Sequence, residues 1–148
     1  MIGVAMAIMG AILSLLLYLP WFRAEGSPGA SLSGLGGSGE LWMVLVLAAV
    51  IVICGLLVAT RRGARVASLI SIAAALLAIG FCVTAVFFLP AHVVIDELGA
   101  LQDVDIPRET AQIAISPGAY LAMTAAALSG LLGVLALSGA PPPGMPGP

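Results

Sequence analysis

The groups able to carry redox, metal or acid–base chemistry in this 148-residue sequence are two thiols (Cys54 and Cys82), one imidazole (His92) and seven carboxylates. No C-x-x-C spacing occurs, so a membrane thiol oxidoreductase of the usual design is excluded. At about 1.5 Å per helical residue, Cys54 is expected about 20 Å below the outer end of its helix and Cys82 about 10 Å. That separation exceeds the roughly 7 Å between α-carbons that a disulfide tolerates, and both thiols read as buried small hydrophobes. His92 stands alone, whereas a membrane haem held by two histidines needs a pair. It reads as a cap on the outer end of its helix, with a ligand shared with another subunit as the alternative. Asp96, Glu97, Asp103, Asp105 and Glu109 form the main acidic stretch. Asp103-Val104-Asp105 opens like a calcium loop, but Pro107 and Arg108 then occupy the wrong places and no glycine follows. A solvated acidic face is the reading. The glycines of 34–39 follow no strand and bring no lysine, so they make no phosphate cradle. No nucleophile stands beside a base or a metal cluster, and no catalytic, cofactor or metal residue is assigned.

The elements that must position these groups are apolar. The chain is 61% hydrophobic and 8% charged, against roughly 25% charged in soluble domains. A water-soluble enzyme, a secreted disulfide scaffold, a nucleic-acid binder and a disordered tail protein are all excluded. Charge-free runs cover 1–22, 41–60, 66–95 and 110–148. Since about 20 apolar residues cross a hydrocarbon core, four spans are predicted over about 2–19, 41–60, 66–89 and 118–138. All ten prolines lie outside or at the edges of these spans, as expected of a residue that removes a backbone donor. Ser116-Pro117 reads as an N-cap with proline in the first helical turn. The first span has no preceding basic residue and no cleavage site, and reads as a retained membrane helix rather than a secretory signal. The fold class is all-α: a four-helix up-down membrane bundle forming one domain over 1–138. The proline-rich tail, 139–148, is expected to be extended.

Arg61, Arg62 and Arg65 share the short connection between the second and third spans, while all seven acids lie in the other two connections. Positive residues are retained on the cytoplasmic side, which places that turn and both termini inside. Tyr18, Trp21, Phe22, Trp42, Phe87, Phe88 and Tyr120 then fall at the outer interface, with Phe81 deeper. They read as a one-sided belt of rings at headgroup level; the alternative is a docking surface for a partner or lipid. The glycine- and serine-rich outer loop 20–40 is expected to be flexible. In the loop of about 90–117, Ile95, Leu98 and Leu101 repeat at helical spacing, which predicts a short amphipathic helix on the membrane surface.

Inside the spans there is no aspartate, glutamate, lysine, arginine or histidine, so proton or ion coupling is not indicated. Ser14, Ser68, Ser71, Thr84, Thr124 and Ser129 are expected to bond helix carbonyls or a neighbouring helix. Small residues recur every fourth position as Gly3-Ala7-Ala11, Gly63-Ala67-Ser71-Ala75 and Gly118-Ala122-Ala126-Gly130. Such lines admit close helix approach, here read as packing within the chain's own bundle, with docking onto another subunit as the alternative.

Leu19-Pro20-Trp21-Phe22 closes the first span and Gly118-Ala119-Tyr120-Leu121-Ala122 opens the last, with Ser38-Gly39-Glu40-Leu41-Trp42 between them. On these motifs the chain resembles uncharacterised bacterial four-span membrane proteins. The resemblance implies the four-span fold and brings no activity, cofactor or catalytic residue. The outer loops hold no cysteine, unlike claudin-like and tetraspanin-like chains, and the first span lacks the glutamate of small multidrug transporters.

These readings converge on a non-catalytic integral membrane protein, an accessory or structural subunit of a larger complex in the bacterial cytoplasmic membrane. Its expected partners are the lipid bilayer and other membrane subunits, with no nucleic acid and no small-molecule substrate. The alternative is a homo-oligomeric channel or transport component for a neutral solute or lipid, its path built from hydroxyls and backbone dipoles.

Overall fold

In a computed structural model describing residues 1–25, 31–35, 41–61, 63–88 and 112–139, helices α1 (Ile2–Leu16), α2 (Leu41–Ala59), α3 (Ala64–Phe87) and α4 (Pro117–Ser138) are joined by strands β1 (Pro20–Glu25), β2 (Ser31–Ser33) and β3 (Gln112–Ile115). Between α2 and α3, the Thr60 hydroxyl donates to the carbonyls of Leu56 and Leu57, both at 3.1 Å, closing the end of α2. Arg61 (φ 57°) and Gly63 (φ 62°) then turn the chain through the left-handed region. A side chain is disfavoured there, which explains glycine at 63 but not arginine at 61.

Helices α2, α3 and α4 are each long and apolar enough to cross a membrane. The first helix is shorter than the predicted 2–19. It has 15 residues, about 22 Å at 1.5 Å per residue, against roughly 30 Å of hydrocarbon. Its end is drawn into the sheet: Tyr18 N–H bonds the Leu15 carbonyl at 3.1 Å, Leu19 N–H bonds that of Leu16 at 3.2 Å, and Leu35 N–H takes the carbonyl of Leu17 at 3.3 Å.

The main helix contacts close a ring, α1 on α2, α2 on α3, α3 on α4 and α4 on α1. Two neighbouring pairs, α1 with α2 and α3 with α4, run in opposite directions. Gly3 faces Gly55 and Ala59, whereas Gly10 faces Ala48 and Val52. On the other side of the ring, Gly130 faces Ala75 and Gly133 faces Ile72. At Gly55 the seam between α1 and α2 admits no side chain, since a β-carbon there would lie 2.5 Å from the backbone nitrogen of Ala7. In lipid, where apolar burial gives little drive, such backbone approach is what holds helices together.

Two of the predicted small-residue lines change. Ala11 is exposed, and the line on α1 that meets α2 is Gly3-Ala7-Gly10. A β-carbon on Gly63 would meet nothing within 4 Å and the residue serves the turn, while Ala67, Ser71 and Ala75 are buried as packing residues. On α4, Gly118, Ala122 and Ala126 are buried against the chain's own bundle.

The loop 20–40 is not uniformly irregular. β1 pairs antiparallel with both β2 and β3, giving the order β2-β1-β3. A small sheet therefore joins the predicted all-α bundle at the end where α1 finishes and α4 begins. Residues 26–30, 36–40, 89–111 and 140–148 lie outside the described residues, as does Arg62. The amphipathic helix expected around Ile95–Leu101, His92, the acids of 96–109 and the proline-rich tail all fall there.

Candidate functional site

The Leu19-Pro20-Trp21-Phe22 stretch builds the capped end of the bundle. Pro20 opens β1, a position where its missing N–H costs no ladder bond. The register shifts between Pro20 and Phe22, which pair with Ser33 and Leu32 respectively. The shift leaves Trp21 as the extra residue of a bulge, and bulges re-aim side chains. Alternation would send Trp21 and Phe22 to opposite faces, yet both are buried. The belt of seven rings is thereby corrected: Trp21 and Phe22 belong to the core.

Trp21 joins three elements. Its indole nitrogen donates to the Leu16 carbonyl at 3.1 Å, taking up an acceptor at the end of α1. A β-carbon on Gly34 would lie 2.8 Å from its ring, so β2's following turn closes directly over the indole. Its own carbonyl accepts the Ser116 N–H at 2.7 Å, fixing the start of α4. Ser116 takes the predicted N-cap position with Pro117 in the first turn, but its hydroxyl makes no capping bond. The backbone bond to Trp21 holds the junction instead. Next to it, a β-carbon on Gly118 would come 2.6 Å from the Pro20 carbonyl, so strand and helix meet without an intervening side chain.

Around this cap the remaining rings stay exposed: Tyr18, Trp42, Phe87, Phe88 and Tyr120, with Phe81 half-buried. They come from the end of α1, the start of α2, the end of α3 and the start of α4, which all lie at the capped end. Arg23, in the central strand, is exposed among them. The capped end thus combines an ordered platform with a rim of amphipathic rings, a composition suited to a membrane interface or a protein contact.

The predicted hydroxyls mostly turn back onto their own helices. Ser14 donates to the Gly10 carbonyl at 3.1 Å, Ser68 to Ala64 at 2.7 Å, Thr84 to Gly80 at 2.9 Å, Thr124 to Tyr120 at 2.8 Å and Ser129 to Ala125 at 2.8 Å. Ser71 is the exception, with a buried oxygen that has no partner among the described residues. Cys54 and Cys82 are buried free thiols on separate helices. Among the described residues, no three histidine, cysteine, aspartate or glutamate side chains gather as metal ligands would.

Sequence reasoning missed two features. Gly10 and Gly55 complete the seam between α1 and α2, and the signal was present as Ala48-Val52-Gly55-Ala59 at helical spacing. The inward turn of Trp21 depends on a bulge and left no periodic trace. Comparison with known proteins finds no match for this chain among family models, curated proteins or solved structures.

Proposed function

We propose that the chain is a non-catalytic accessory or structural subunit of a larger complex in the bacterial cytoplasmic membrane. It acts as a four-span up-down bundle with both termini and the 60–63 turn in the cytoplasm. The observation that carries this reading is the capped end: a sheet locked to the helix ends through Trp21 and rimmed by five exposed rings. A rigid platform of this kind loses little conformational freedom when a partner docks. Aromatic side chains are also the type enriched where proteins meet. The short α1 is accommodated by local thinning of the bilayer.

A tagged chain extracted in mild detergent is expected to bring down a defined, stoichiometric set of membrane subunits. Substituting Tyr18, Trp42 and Phe88 by alanine together is expected to release them. A chain that emerges alone and monodisperse overturns the subunit reading. A homo-oligomer that passes neutral solutes in proteoliposomes replaces it with the channel reading. The orientation is tested separately, since Ser138→Cys should react with an impermeant maleimide only from the cytoplasmic face.

A further inference from the structure

The turn joining α2 and α3 gathers Arg61, Arg62 and Arg65 within five positions. Arg61 and Arg65 are both exposed. All seven acids of the chain lie in the other two connections, and the sequence holds no acidic side chain between positions 41 and 95. The local arrangement adds to the positive charge. Arg65 stands in the first turn of α3, which has no acidic residue and no side-chain cap. A helix N-terminus carries partial positive charge and disfavours a cation there. Arg61 holds a left-handed conformation (φ 57°) that glycine would adopt without strain. Neither placement serves the stability of the isolated chain.

The surroundings define what kind of anion fits. Leu56 and Leu57 at the end of α2 are exposed, as are Val66, Leu69 and Ile70 on the first turns of α3. The arginines thus adjoin helix ends whose exposed side chains are apolar, a setting that accepts a charged head and a hydrocarbon chain together. A soluble anion uses only the arginines, whereas a phospholipid uses both surfaces. We infer that the 60–65 turn and the apolar helix ends beside it form a binding site for an anionic phospholipid of the adjoining leaflet, its phosphate held by Arg61 and Arg65. The inference rests on the membrane-spanning helices and not on the subunit role, so either fails without the other.

The test uses the full chain, delipidated in detergent and titrated with phosphatidylglycerol or phosphatidylcholine, with bound lipid counted by native mass spectrometry. Phosphatidylglycerol is expected to be retained preferentially, and the preference to fall about fivefold for each arginine removed. Arg61→Gln and Arg65→Gln should each show this loss, whereas Arg23→Gln, at the opposite end, should not. Arg61→Gly separates binding from folding: it relieves the backbone, so the protein should be at least as stable yet bind the lipid more weakly. Equal retention of the two lipids overturns the site. So does an unchanged preference in Arg61→Gly, or an equal loss in Arg23→Gln. Displacement of phosphatidylglycerol by millimolar inorganic phosphate also overturns it, in favour of a free-anion site.

Discussion

The indole nitrogen of Trp21 donates a 3.1 Å hydrogen bond to the carbonyl oxygen of Leu16, the last residue of α1. One side chain thereby ends a helix, seats a strand and fills the space beneath the sheet. The bond joins residues five apart, so its geometry is set locally, but its consequence reaches Ser116, whose N–H is held by the Trp21 carbonyl.

Trp21→Phe keeps most of the ring and loses the donor, for an expected cost of about 1 kcal/mol. Trp21→Ala also opens a cavity, and about 3–5 kcal/mol is expected. Unfolding in mixed micelles measures both. Amide exchange at Gly34, Leu35 and Ser116 should accelerate together in Trp21→Ala while exchange within α3 stays slow. Uniform acceleration through all four helices would show that Trp21 supports the whole bundle rather than its cap.

Two helix glycines should respond oppositely to alanine. At Gly55 the new methyl would enter the backbone of α1, 2.5 Å from Ala7 N and 2.7 Å from Gly3 O. Overpacking of this kind costs about 1–3 kcal/mol. At Gly80 a methyl meets nothing within 4 Å, and removing the glycine's backbone freedom is expected to gain roughly 0.5–1 kcal/mol. Denaturation of Gly55→Ala and Gly80→Ala in the same micelles checks the signs. A destabilised Gly80→Ala would mean that the outer face of α3 is covered.

The helices were legible in the sequence because lipid imposes a single demand on a long segment: continuous apolar character with the breakers outside it. Three helices lie within two residues of the expected spans at both ends. The exception is instructive. Leu17, Tyr18 and Leu19 are apolar enough to continue α1, but the chain tightens there to bonds three residues back, and the Leu17 and Leu19 carbonyls accept the N–H groups of Leu35 and Gly34. That contact comes from about 15 residues further along the chain, and hydropathy does not register it. The sheet was hidden for a related reason. Its strands are short, with only three residues in β2, and a bulge interrupts the alternation that would have announced β1. Of the candidate site, the ring residues were legible as a group. Which of them faced inward was not, because a one-residue register shift decides it.

The thiols provide a test of how tightly the bundle closes. Cys82 is fully buried and Cys54 nearly so, on helices that pack together. A membrane-permeant maleimide should label neither within minutes in the folded protein, and both after denaturation in dodecyl sulfate. Rapid stoichiometric labelling of Cys82 in mild detergent would reveal a path into the bundle and favour the channel reading.

Ser71 and Ser129 bear the same hydroxyl in the same bundle, both fully buried, yet only one is paired among the described residues. Ser129 donates a hydrogen bond to the Ala125 carbonyl one turn earlier, so Ser129→Ala loses a bond worth about 0.5–1.5 kcal/mol. Ser71 gains nothing of the kind, and burying an unpaired hydroxyl costs about 1–3 kcal/mol. Alanine removes that cost and leaves a gap of only one oxygen atom. Ser71→Ala is therefore expected to leave the bundle unchanged or more stable, while Ser129→Ala weakens it. Denaturation of the two variants side by side decides the matter. If Ser71→Ala loses more than Ser129→Ala, the Ser71 hydroxyl has a partner in the membrane, and the interior of the bundle is wetter than its apolar and small side chains suggest.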